Sequence, residues 1–83
     1  MAARRSIDEL KQLGQGRPAS EEIAALYRRA FAEFGSRALW SSRPLPDPTV
    51  ASALAITESL RVEGDLNARR LAERIEAACR AAL

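Results

Sequence analysis

The chain has 83 residues, a formal net charge of +2, one cysteine and no histidine. A chain of this length makes one domain that buries roughly 60–65% of the surface its unfolded form exposes, so its core supplies only ~3–5 kcal/mol unaided. With a lone Cys79 and no histidine, an internal disulfide and the usual zinc ligand sets are excluded, which leaves a partner or self-association as the expected support.

Met1 to Ser6 carries two arginines but runs into Asp8, Glu9 and Lys11 with no apolar stretch, so it does not read as a signal peptide. No apolar run approaches the ~20 residues of a membrane span. A cytoplasmic location is expected, with residues 1–5 predicted disordered. Twelve of the 13 basic residues are arginine and 17 residues are alanine, a bias that points to a GC-rich bacterial genome. Acidic and basic residues are interspersed, short of the concentrated positive field that drives nonspecific nucleic-acid binding.

Ser6-Ile7-Asp8-Glu9 has the form of a capping box and opens a short first helix. Ile7, Leu10 and Leu13 mark its face, and Gly14 is expected to end it in the left-handed conformation. After Gln15-Gly16-Arg17-Pro18, Ser20 caps a second helix, with Glu21 and Glu22 in the first turn where the helix dipole favours negative charge. Ile23, Leu26, Tyr27, Ala30, Phe31 and Phe34 then form one stripe at helical spacing, and Gly35 stops it.

Ser36 is expected to cap a turn through Arg37, Ala38, Leu39 and Trp40. Residues 41–47 space Pro44 and Pro46 before Pro48, which gives a stiff extended connector. Asp47 as cap and Pro48 as first helical residue would open a third helix with Val50, Ala53, Leu54, Thr57 and Leu60 inward. Gly64 ends it and Asp65 at once caps a fourth, so these two form an antiparallel hairpin. In the last helix Ala68, Leu71, Ala72, Ile75, Ala78, Cys79 and Ala82 make the apolar stripe. Arg69, Arg70, Glu73, Arg74, Glu76 and Arg80 are expected outside, with Glu76 and Arg80 paired four residues apart. The predicted fold is all-α: three main helices plus a short N-terminal one in a single domain, 1–83.

No histidine is present to act as a base. Asp8, Asp47, Asp65, Ser6, Ser20 and Ser36 all stand at expected helix starts, which explains them without a reaction. Cys79 lies on an apolar stripe, where cysteine packs as a small hydrophobe. Gly14-Gln15-Gly16 lacks the rest of a phosphate loop. No catalytic residue, cofactor or metal is therefore assigned, and the chain is not expected to be an enzyme.

A protein-binding module is the leading expectation. Trp40 stands outside the helical stripes beside the proline connector, either covering a core end or anchoring a partner. With Arg37, Leu39, Arg43 and Leu45 it makes a candidate partner-binding segment, because tryptophan and arginine are favoured at interface hot spots. A small DNA- or RNA-binding regulator using Arg69, Arg70 and Arg74 is the alternative. Against it, a helix-turn-helix register aligned on Gly64 would put Arg70 where a buried aliphatic is needed, and Glu73 and Glu76 would repel phosphates. A self-associating module, with the hairpin paired across a two-fold axis, is the third reading.

From Ala38, the run Ala-Leu-Trp-Ser-Ser-Arg-Pro, the Asp47-Pro48-Thr49 start, Leu60-Arg61-Val62-Glu63-Gly64-Asp65 and Ala68-Arg69-Arg70-Leu71-Ala72-Glu73 together resemble short bacterial proteins encoded beside nucleotidyltransferase-type toxins of the abortive-infection class. The resemblance covers about half the chain. It implies an antitoxin-like or accessory protein whose partner is the enzyme encoded next door, and it assigns no binding residues.

Overall fold

Ser6 and Ser20 hold the starts of their helices by the same local device. In the computed structural model, which describes residues 6–36, 38–39 and 43–82, Ser6 Oγ accepts from the Glu9 amide at 3.2 Å and Ser20 Oγ from the Ile23 amide at 3.3 Å. The Ser6 hydroxyl also faces Glu9 Oε1 at 3.5 Å, closing the capping box through side chains. These caps open α1 (Ile7–Gly14) and α2 (Glu21–Phe34). They are followed by α3 (Val50–Glu63) and α4 (Leu66–Ala82), and no strand occurs among the described residues. The expected disorder of residues 1–5 falls outside the described residues.

The short connection at Gly64 and Asp65 folds α4 back onto α3, and this hairpin is the most extensively packed pair of helices. Asp65 Oδ1 accepts from the Ala68 amide at 3.0 Å, the expected cap. α1 runs antiparallel along α3, with Lys11 Nζ 3.2 Å from Glu58 Oε2 near one end and Gly14 against Val50 at the other. α2 lies antiparallel along α4, its Phe34 end beside Leu71 and its Leu26 beside Ala78.

The core joins all four helices. Leu10, Ile23, Tyr27, Ala30, Leu54, Leu60, Ala72, Ile75 and Cys79 are at most 2% exposed. Burying each large aliphatic side chain contributes about 1.5–3 kcal/mol, which the entropy of ordering the chain largely offsets. Thr57 sits in this core with its hydroxyl donating to the Leu54 carbonyl at 2.6 Å, so that hydroxyl is satisfied. Ile56, outside the expected inward set of the third helix, is also buried.

Several expectations are corrected. Leu13 is 42% exposed, because the inward face of α1 is Ile7, Leu10 and Gly14. Gly14 is helical, and the left-handed residue is Gly16 at φ 77°. Gly14 is glycine for another reason: a Cβ there would stand 2.9 Å from both Val50 Cβ and the Ala51 amide nitrogen.

The third helix starts at Val50, and its cap is Thr49, whose Oγ1 accepts from the Ser52 amide at 3.1 Å. Asp47 is exposed two residues upstream. The cause is a long-range bridge: Ala19 N–H donates to the Pro48 carbonyl and Val50 N–H to the Arg17 carbonyl, both at 2.9 Å, which holds Thr49 extended opposite Pro18. Phe31 is half-buried and Ala82 exposed, so the stripes of α2 and α4 are narrower than expected.

Glu76 departs furthest from expectation. It is 5% exposed, and Arg61 of α3 engages both its oxygens, Nε to Oε2 at 2.9 Å and Nη2 to Oε1 at 2.7 Å. The expected pair with Arg80 is therefore not made, and Arg80 Nε is buried with no acceptor among the described residues.

Candidate functional site

The expected partner-binding segment is only partly available for contact. Arg37 and Trp40 lie outside the described residues. Leu39 is 1% exposed and belongs to the core, because the amides of Ala38 and Leu39 both donate to the Phe34 carbonyl, at 2.8 and 3.2 Å, and turn the chain inward. Arg43 is exposed and Leu45 is 48% exposed. The Leu45 amide donates to Tyr27 Oη at 3.0 Å, which ties the proline connector to α2 and gives the buried phenol its acceptor role.

Arg69, Arg70 and Arg74 of the last helix are all exposed, but they do not act as a group. Arg70 and Arg74 stand one turn apart over the seam between α2 and α4 and line an open groove of about 620 Å³. Arg69 does not line it. From α2 the groove receives Arg29, Glu33 and Phe34, and from the start of α4 Asp65, Asn67 and Leu71. Phe34 and Leu71 are 7% and 4% exposed, so they form a floor, and the walls are polar.

Charge along this groove is uneven. Arg29 Nε is bound to Glu33 Oε2 at 2.9 Å, and Asp65 carries the α4 cap. Arg70 and Arg74 hold no ion pair or hydrogen bond among the described residues. Two guanidinium groups are thus presented to solvent beside carboxylates that are already engaged.

A second hollow of about 320 Å³ continues the seam toward the end of α4. Leu26 and Glu22 line it from α2, and Arg74, Ala77, Ala78 and Ala81 from α4. Arg74 belongs to both hollows, so they are successive parts of one trough. Arg70 and Arg74 stand out in the sequence, but the trough does not, since nothing local says that α2 packs on α4. The alanines at positions 77 and 81, exposed where a longer side chain would fill the hollow, were the signal available.

Chemistry within the chain is sparse. Among the described residues no group of three or more His, Cys, Asp or Glu side chains could hold a metal ion. Burial, reinforced by Glu76 and partly opposed by Arg80, pushes the Cys79 thiol up to about 11, which keeps it in the unreactive protonated form. The Arg61 guanidinium is raised above its ordinary value by its hydrogen bonds to Glu76, so the arginine stays charged. No helix among the described residues is long and apolar enough to cross a membrane. No protein-family model, curated protein or solved structure matches this chain.

Proposed function

We propose that this chain is a non-catalytic protein-binding module of the antitoxin or regulatory-subunit kind, acting on an enzyme partner. The observation that carries the reading is the α2/α4 trough, where Arg70 and Arg74 stand unengaged beside an alanine-lined hollow. An elongated surface of this kind suits a protein segment, and arginine is among the residue types that dominate interface energetics. The buried, protonated Cys79 and the capping roles of Ser6, Ser20, Thr49 and Asp65 support a chain with no reaction of its own. Co-expression with the product of the adjacent gene tests the reading. A complex that survives purification and is lost in the R70E/R74E variant is expected. A stable monomer that retains no neighbour would refute it.

The nucleic-acid alternative gains one observation. Glu76 is turned into the α3/α4 interface, so it no longer interrupts the exposed basic residues of α4 as Glu73 does. A gel shift on the gene's own promoter, repeated across salt concentrations, separates the readings, because phosphate-driven affinity falls steeply with ionic strength. No shift at low salt ends the alternative.

A further inference from the structure

We infer that the α2/α4 trough takes an acidic amphipathic helix of the partner protein, its carboxylates over Arg70 and Arg74 and its small or apolar residues over the alanine end. This rests on the protein-binding reading above and specifies the chemistry of the partner.

Length is the first argument. The trough follows α4 from Asn67 to Ala81, which at 1.5 Å per residue is about 21 Å, or about four turns of a partner helix. Helix-in-groove recognition uses anchors spaced along one face over this kind of distance.

Charge complementarity is the second. Arg70 and Arg74 are four residues apart on one helix, so their Cβ atoms are separated by roughly 5–6 Å. Glutamates at i and i+4 on a partner helix have the same spacing. The nearby carboxylates offset the two arginines only in part, because Glu33 is already paired with Arg29, which leaves Asp65, the α4 cap, as the one acidic group of the groove not matched by that pair. At the opposite end the exposed charge is Glu22, which orders the partner: acidic opposite Arg70, neutral or basic opposite Glu22.

Surface shape is the third. Ala77 and Ala81 are exposed and Ala78 half-buried, so past Arg74 the α4 side chains that line the trough stop at Cβ, and a second helix can approach closely there. A nucleic-acid backbone fits less well. Its charge recurs at every nucleotide and would meet Glu22 and Asp65 as well as the arginines, whereas a helix places each charge singly.

The test uses the full chain and synthetic peptides of four turns. One peptide carries glutamates at i and i+4 followed by alanine and leucine on the same face, a second has lysine in place of those glutamates, and a short single-stranded RNA is the third probe. Binding is followed by backbone amide shifts. The acidic peptide is expected to bind with shifts at Arg70, Arg74, Ala77 and Ala81, and to weaken at least ~10-fold in R70E/R74E, since like charges now face each other. Ala77→Trp, which fills the trough without changing charge, is expected to weaken it comparably. Equal binding of the lysine peptide, tighter binding of RNA, or shifts confined to another face would each overturn the inference. If R70E/R74E releases the co-expressed neighbour while both peptides bind alike, the acidic-helix inference fails and the protein-binding reading stands. If R70E/R74E keeps the neighbour bound, the trough is not the site and the inference also fails.

Discussion

Glu76 gives both carboxylate oxygens to Arg61 and none to Arg80, four residues along its own helix. The two partners sit in different surroundings. The Glu76 side chain is 7% exposed and that of Arg61 42%, so the carboxylate is the member that depends on the pair for its solvation. A planar guanidinium meeting a carboxylate at two points also sets orientation, which ties the last turns of α3 to the middle of α4.

That asymmetry predicts unequal costs. Arg61→Met leaves a buried carboxylate without its donors and should lower stability by ~1–3 kcal/mol. Glu76→Met leaves an arginine that water can reach, and should cost less than the Arg61 change or nothing. Urea denaturation of the two variants checks this. A larger loss from the Glu76 change would contradict it.

Gly14→Ala reverses the usual rule for helices. In an open helix interior the exchange adds up to ~1 kcal/mol of stability through propensity. Here the new Cβ would stand 2.9 Å from Val50 Cβ and from the Ala51 amide nitrogen, so α1 must shift away from α3. A net loss of about 1–3 kcal/mol is expected from such overpacking. Gly14→Ala variants that melt at or above the parent temperature would show that the helices separate at no cost.

Thr49→Ala should cost about 0.5–2 kcal/mol, the usual effect of removing an N-cap, while Asp47→Ala should stay within about 0.5 kcal/mol. Thermal melts of the pair decide which residue opens α3. The reverse order would return the cap to Asp47.

The shifted thiol makes stability fall with alkaline pH. Cys79 is held up to about 11 in the folded chain against an ordinary value near 9, so between those values the unfolded chain has lost a proton that the folded chain keeps. Fewer protons on the unfolded side means that stability declines as pH rises through that window and is unaffected below it. The stability difference between the parent and Cys79→Ala, measured by urea denaturation across pH, should narrow above about pH 9. A difference that stays constant to pH 11 would contradict the burial of the thiol.

Local signals in the sequence located most of the fold. Ser6, Ser20 and Asp65 announce their helices through side chains that reach amides three residues on, a rule that needs no knowledge of the rest of the chain. The cap falls on Thr49 and not on Asp47 because the bridge to Arg17 and Ala19 delays the helix, and those partners lie some thirty residues away in sequence. Residue type alone points Glu76 to the surface. Its position, four after Ala72 and three before Cys79, already placed it on the buried stripe. Leu39 looked available beside the prolines, yet the turn after Gly35 carries it into the core. The trough was hidden for a different reason, since it exists only once α2 is laid against α4.

Site-specific photocrosslinking in the native host tests the central claim most directly. A photoreactive residue at Ala77, exposed in the trough, should yield a discrete protein adduct that disappears when R70E/R74E is added, while the same residue at the exposed Ala55 of α3 should yield none. Adducts from Ala55 but not Ala77, or adducts to nucleic acid from Ala77, would contradict a protein-binding role for the α2/α4 trough.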